Sequence, residues 1–339
     1  MPESFRGGCS FGAAQDLGLL RSLPIWVNLR RIIAQAIKFL GFLLSFADTV
    51  RLLSLAAIWG GSFLFMRVAA PVLGPAFLME GRVFFAASFL LVLALVLKKR
   101  HEIFKHWKHF FIMGLFNCAL PWYLFGQAAL KLTTAQLSII NALAPLFAFV
   151  IGLVMRTDKL ESKRAIGLLL GILGVAVLFG NLDSTGGAAD IASVLMATGA
   201  SFAYGIATSY TKAVKGLEPF HNALGSLWMA SFILLPTLFF VPIRGVVTTT
   251  VVLATLAIGI VCSGIAFLIY FKLIKNVGAS SALTVSFLIP VFSMLFGVIF
   301  LHEIVTLRTI VGMLIILVGT ALVTGFSARG LIGAKRPAS

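Results

Sequence analysis

Ten apolar runs, each about as long as a membrane-crossing helix, occupy most of the chain and constrain its fold more than any other feature. They lie near 52–70, 76–97, 110–130, 134–155, 165–180, 190–211, 220–242, 250–271, 279–301 and 309–326, separated by charged or Gly/Pro-containing breaks. A helix of about 20 apolar residues covers the roughly 30 Å of a bilayer's hydrocarbon. Unpaired backbone groups are so costly there that only helices or a closed barrel can cross. Runs such as Ala135 to Met155 lack the strict alternation of barrel strands, which selects helices. The 60% hydrophobic and 11% charged residues depart from the about 45–50% and about 25% of soluble domains in the same direction. A soluble enzyme, a disulfide scaffold and a disordered tail protein are excluded. The reading is an all-α integral membrane protein with ten transmembrane helices.

A net charge of +16 would suggest nucleic acid in a soluble protein. Its distribution says otherwise. With the N-terminus and every second loop on one side, 22 basic residues gather there and four, Arg67, Lys131, Arg244 and Arg308, lie opposite, leaving Arg82 inside a span. Lys and Arg accumulate in cytoplasmic loops. Both termini are therefore expected in the cytoplasm, with the protein in a bacterial inner (cell) membrane, and nucleic acid drops out as a partner. Residues 1–50 are expected to be a cytoplasmic extension, either an interfacial or unstructured segment or an eleventh, shallow one. Residues 327–339 form a cytoplasmic tail. Cys9, Cys118 and Cys262 provide neither a disulfide framework nor metal spacing, and no cofactor is expected.

The chain also repeats itself. At an offset of 145 residues, Pro145 meets Pro290, Gly152 meets Gly297, Asp158 meets Glu303, Gly167 meets Gly312 and Gly174 meets Gly319. Residues 51–181 and 190–326 read as two copies of a five-helix unit. Five is odd, so the second copy enters the membrane from the opposite side. The charges agree, because the loop after span four holds four basic residues and its counterpart after span nine only Arg308. Inverted repeats are a transporter architecture, with substrate held near the midplane between the halves.

Residues 270–325 carry a resemblance through Gly278-Ala279, Pro290-Val291, the His302-Glu303 turn and the pair Gly312 and Gly319. The first half repeats it through Trp59-Gly60, Ser62-Phe63, Arg82, Ala144-Pro145, Gly167 and Gly174. Residues 51–326 thereby resemble the two EamA domains of the drug/metabolite transporter superfamily. The resemblance implies a central cavity built mainly from spans 1–4 and 6–9, with spans 5 and 10 outside as supports. It also implies movement of amino acids, small metabolites or drugs, often outward. Asp158 stands where the family commonly has Glu, which reads as tolerance at a loop position.

Pro145 and Pro290 sit mid-span, and proline removes the bond to the carbonyl four residues back, freeing those of Asn141 and Ser286. Pro121 repeats the pattern with Asn117. Such breaks point to a binding site, while a kink satisfied by neighbouring helices is the competing reading. Glu80 and Arg82 are the clear intramembrane charges, and such groups usually face a bundle interior or aqueous cavity. About 200° apart around a helix, they do not pair readily. Arg82 is either a structural group, paired or snorkelling, or a contact for a substrate carboxylate. Glu80 is either a proton carrier or a hydrogen-bonded buried group. Trp59, Trp122, Tyr123, Tyr204 and Tyr270 have polar tips that need partners, suited to stacking a flat substrate or to an interfacial belt. Asn222, with Gln127 and His221, adds polar lining. The spacing of Gly167, Gly171 and Gly174 permits close helix packing.

Neither a Walker A loop nor a His-Glu-x-x-His motif occurs. The expectation is a secondary transporter for a small molecule in the lipid bilayer, a monomer or homodimer, exporting by alternating access with protons as the candidate coupling ion. An uncoupled facilitator and a membrane sensor without transport are the alternatives.

Overall fold

The computed structural model describes residues 45–98, 105–180, 191–214, 217–278 and 282–325. The tail and the expected N-terminal extension up to residue 44 lie outside the described residues, as does Ala279. Every regular element among those described is helical. Eight helices are long and apolar enough to cross a bilayer: α1 (Phe46–Val96), α2 (Trp107–Ala128), α3 (Thr134–Val154), α4 (Ser162–Phe179), α5 (Ile191–Lys212), α6 (Pro219–Phe239), α7 (Thr249–Val277) and α9 (Leu307–Thr324). Between the last two lies α8 (Val285–Leu301), apolar but shorter at 17 residues.

The 51 residues of α1 would extend about 76 Å as one straight helix, more than twice the hydrocarbon thickness. Gly74 breaks it, with φ 72° and ψ 159°, a conformation that side-chain-bearing residues avoid. Pro71 and Pro75 withhold two further N–H donors. The Val72 carbonyl is satisfied instead by the backbone N–H groups of Arg244 (2.8 Å) and Gly245 (3.2 Å), from the segment after α6.

Other helices break where the prolines and polar residues fall. α3 is interrupted between Asn141 and Ala144, just ahead of Pro145. Neighbouring helices supply donors there: Ser201 Oγ to the Ile140 carbonyl (2.8 Å) and Thr320 Oγ1 to that of Ala142 (2.9 Å). α2 widens into a π-helix over Gly114–Ala119, ahead of Pro121, and α7 does so over Ala257–Ile265. Such widened turns reorient side chains and recur at functional sites. Pro290, by contrast, sits inside an uninterrupted α8.

Small residues let the backbones approach. A Cβ added to Gly167 would lie 2.6 Å from the Gly319 carbonyl oxygen, and one added to Gly319 would lie 2.6 Å from that of Gly167. Gly174 and Gly312 meet in the same reciprocal way at 3.1 Å. α4 and α9 are thus sealed glycine to glycine, as the spacing on α4 predicts. Their other faces expose Leu169, Ile172, Leu314 and Val318, an apolar surface suited to lipid. Further close approaches recur in matched form. Gly60 packs on Phe292 and Ser293, and Gly205 packs on Phe147 and Ala148, every residue 145 positions from its counterpart. Gly114 meets Ser226 and Met229, while Gly259 meets Arg82 and Phe85.

Gly319→Leu should therefore force α4 and α9 apart at a cost of roughly 1–3 kcal/mol, the usual range for overpacking. Thermal midpoints read by size-exclusion in detergent should fall for Gly319→Leu and Gly167→Leu. Gly199→Ala, whose added Cβ would meet only Leu124 at 3.6 Å, should leave the midpoint unchanged. Equal midpoints for all three would remove the glycine seam as a stabilising contact.

Candidate functional site

The breaks in α2, α3 and α7 surround a cavity of about 750 Å³. Much of its lining comes in pairs 145 residues apart: Trp59 with Tyr204, Asn117 with Cys262, Trp122 with Phe267, Phe125 with Tyr270, and Asn141 with Ser286. Pro145 and Ser62 complete the nearby wall. Its volume lies within the roughly 300–1,000 Å³ of small-molecule sites, as does its mix of aromatic walls and a few polar groups.

Arg82 is the charge in the depth of this cavity. It is 6% exposed, and its Nε donates to Ser263 Oγ on the widened stretch of α7 at 3.0 Å. Ser263 Oγ in turn donates to the Ile258 carbonyl at 3.0 Å. The guanidinium carbon lies 3.7 Å from the centre of the Trp122 ring, a cation–π arrangement. Trp122 Nε1 donates to the Tyr204 hydroxyl at 2.7 Å, which fixes the ring under the cation. No carboxylate pairs with Arg82 among the described residues. The side chain does not snorkel along its helix, because Ser263 and Trp122 turn it inward. Trp59 and Tyr270 form a second aromatic pair, ring centres 5.3 Å apart.

Several other candidates stand off this cavity. The Glu80 carboxyl accepts a hydrogen bond from Ser231 Oγ of α6, and its second oxygen is buried without a partner. Tyr123 accepts from Gln127 Nε2 at 3.1 Å, one turn along α2. Asn222 Oδ1 lies 2.9 Å from His109 Nε2, and His109 Nδ1 lies 3.3 Å from the Tyr210 hydroxyl. Pro121 and Pro290 shape helices without lining the cavity. Conversely α9, expected to lie outside as a support, contributes Thr320, Val323 and Thr324 to the wall. The Thr320 hydroxyl is drawn in by the open Ala142 carbonyl.

The two ends of the bundle differ, and the sequence alone did not single out either arrangement. At one end Glu303 accepts from the Thr134 backbone N–H (3.0 Å) and hydroxyl (2.6 Å) at the start of α3, where the helix dipole favours a carboxylate. Arg67 Nε lies 3.4 Å from Glu303, too poorly aligned for a hydrogen bond but within ion-pair range, and Arg67 Nη1 donates to the Ala129 carbonyl at 2.9 Å. Ser293 donates through its hydroxyl to the Thr134 carbonyl at 2.8 Å, and the Thr134 hydroxyl, whose proton is directed at Glu303, lies 3.1 Å from the Ser293 carbonyl. None of these groups lines the cavity.

At the other end the cavity reaches Asp158, Arg164 and Lys212. Asp158 lies 3.4 Å from Arg164 and 3.5 Å from Lys212, whose side chain is 59% exposed. Asp158, read from sequence as a tolerant loop position, is therefore part of the mouth. The signal that could have found both clusters is the repeat register: Arg67 and Lys212 stand 145 apart, as do Glu303 and Asp158. The acids are held alike, the Asp158 N–H donating to the Gly152 carbonyl and the Glu303 N–H to that of Gly297, both at 3.1 Å.

A solved crystal structure superposes with a TM-score of 0.58 at 16% identity, covering 82% of this chain and 96% of its own, a likeness of fold. Among curated proteins, the uncharacterized transporter YoaV of Bacillus subtilis is 25% identical over 79% of this chain and 93% of its own. The uncharacterized transporter YvbV of the same organism is 25% identical over 79% and 88%. An uncharacterized transporter of Archaeoglobus fulgidus is 26% identical over 79% and 93%. The model of the EamA-like transporter family matches residues 49–180 and 191–325. With its apolar helices and both segments matched, the chain belongs to the EamA-like transporter family, as a multi-pass membrane transporter and not an enzyme.

Proposed function

We propose that the protein is a secondary transporter that exports a small molecule by alternating access, with ten spans arranged as two inverted five-helix units. The observation that carries this reading is a cavity that reaches exposed Lys212 at one end of the bundle, while at the other end the bonded Arg67–Glu303–Thr134 cluster stands off its lining. Support for ten spans comes from α1, which Gly74 divides, and from α8 as a further crossing. Support for the repeat comes from the reciprocal glycine contacts and the paired lining. The basic residues favour the Asp158 end as cytoplasmic, so the cavity loads from inside the cell, the direction an exporter needs. Trp59, Trp122, Tyr204, Tyr270, Asn141, Ser286 and Arg82 line the substrate site in this reading.

Protons are the proposed coupling ion, with Glu80 as carrier, because one of its oxygens is buried and unpartnered. Uncoupled facilitation is the second reading, favoured by the position of Glu80 off the cavity wall.

Three outcomes test these assignments. In proteoliposomes screened with a metabolite panel, Asn141→Ala and Ser286→Ala should each raise KM severalfold at unchanged expression. Unaltered kinetics in both would remove the cavity as the substrate site. An imposed pH gradient should drive accumulation in the wild type and not in Glu80→Gln, whereas gradient-independent flux would establish the facilitator. For the closed end, a Ser62→Cys variant carrying Cys9→Ala, Cys118→Ala and Cys262→Ala should resist an impermeant maleimide added outside the cell. Adding Arg67→Gln should raise its labelling at least threefold, and no increase would show that the cluster is not a gate.

A further inference from the structure

We infer that the cavity takes a small organic anion, a monocarboxylate with a flat apolar body, in preference to a zwitterion or an amine of the same shape. This rests on the cavity reading above and adds the charge of the ligand to it.

The argument begins with asymmetry. Many of the aromatic and polar residues of the cavity wall come in pairs 145 residues apart, and these pairs are uncharged. Arg82 departs from that pattern. Around it the matched contacts run at an offset of 144, with Gly114 meeting Ser226 where Gly259 meets Arg82. Ser226 is therefore the counterpart of Arg82, and it does not line the cavity. The same backbone contact, a carbonyl against a glycine of a widened turn, is made by a serine in one half and by an arginine in the other, so the close approach of the helices does not itself call for a charge at this position.

That charge is also left incomplete. Nε is engaged by Ser263 and one face of the guanidinium by Trp122. No acceptor bonds the two Nη nitrogens among the described residues, and neither is sealed from the cavity. A buried guanidinium without an anion is unfavourable, and its planar fork matches a carboxylate with two parallel hydrogen bonds.

The remaining charges narrow the ligand further. Asp158 is the carboxylate in the lining, and it is already matched at the mouth by Arg164 and Lys212. Glu80, on the far side of the helix from Arg82, is bonded to Ser231 and stands off the wall. An ammonium group bound beside Arg82 would find a cation and no carboxylate. A single deep guanidinium fits a single negative charge, and the Trp59–Tyr270 pair offers a face for a flat apolar body.

A matched series tests this with the full chain in proteoliposomes: 3-phenylpropionate, phenylalanine and phenethylamine share a phenylethyl body and differ in the charged groups it carries. Binding is read by quenching of tryptophan fluorescence, since Trp122 and Trp59 both line the cavity, and transport by counterflow. 3-Phenylpropionate should bind at least tenfold more tightly than either competitor. Arg82→Met should abolish that preference, and Arg82→Lys, which keeps the charge without the fork, should retain part of it. Equal binding of the three, tighter binding of the zwitterion or amine, no binding of any at millimolar concentration, or a preference that survives Arg82→Met would each overturn the proposal. Counterflow of phenylalanine or phenethylamine that is sensitive to Asn141→Ala would overturn the anion preference while leaving the cavity as the transport site. Counterflow indifferent to every lining substitution would remove the cavity reading itself.

Discussion

A backbone amide inside hydrocarbon has no water to turn to, and the structure is organised around that constraint. Where α1 and α3 open, a segment distant in sequence lends a donor. The Val72 carbonyl, exposed by the break at Gly74, is covered by two N–H groups from beyond α6. The Ile140 and Ala142 carbonyls, exposed ahead of Pro145, are covered by Ser201 and Thr320. The second arrangement ties α5 and α9 to the middle of α3 and leaves Asn141 facing open space. The irregularity that makes room for a ligand and the bonds that make the irregularity tolerable are thus the same feature.

The charges follow a related logic. Arg82, Glu303 and Asp158 each meet a different balance of partner and solvent. Glu303 is nearly sheltered and has three partners, so it behaves as a fixed strut between α1, α3 and the turn before α9. Asp158 faces two cations at longer range in an exposed setting, where single ion pairs contribute little. Arg82 has a ring, a hydroxyl and the cavity. The fold thereby holds one end firmly and the other loosely, with a charged group between them.

The apolar runs, their proline breaks and the 145-residue register were readable because each is a local or periodic signal. The glycine seam between α4 and α9 followed from spacing on a single helix. What escaped is set by direction. A helix that is apolar nearly all round gives no moment to say which face looks inward, so Tyr123 and Tyr204 read alike, although one bonds its own helix and the other braces Trp122. Asn222 read as lining because it is polar within a span, and the structure pairs it with His109 on another helix instead. Ser263 was invisible as a partner of Arg82, since its position depends on the widened turn of α7. The Arg67–Glu303 contact joins residues at opposite ends of the sequence, and only the repeat register connects it to Asp158 and Lys212.

The difference in exposure between the two ends has a consequence for how the surroundings act on the protein. At physiological ionic strength charges are screened over about 8 Å, and screening reaches exposed groups far more than sheltered ones. Lys212 and Asp158 stand in that ionic atmosphere, whereas Glu303 is largely withdrawn from it. Dissolved salt therefore weakens the attraction that draws the mouth together and barely touches the strut at the opposite end. The ion pairs at the Asp158 end are thus the ones that a change of ionic strength can loosen, while the Glu303 contacts persist.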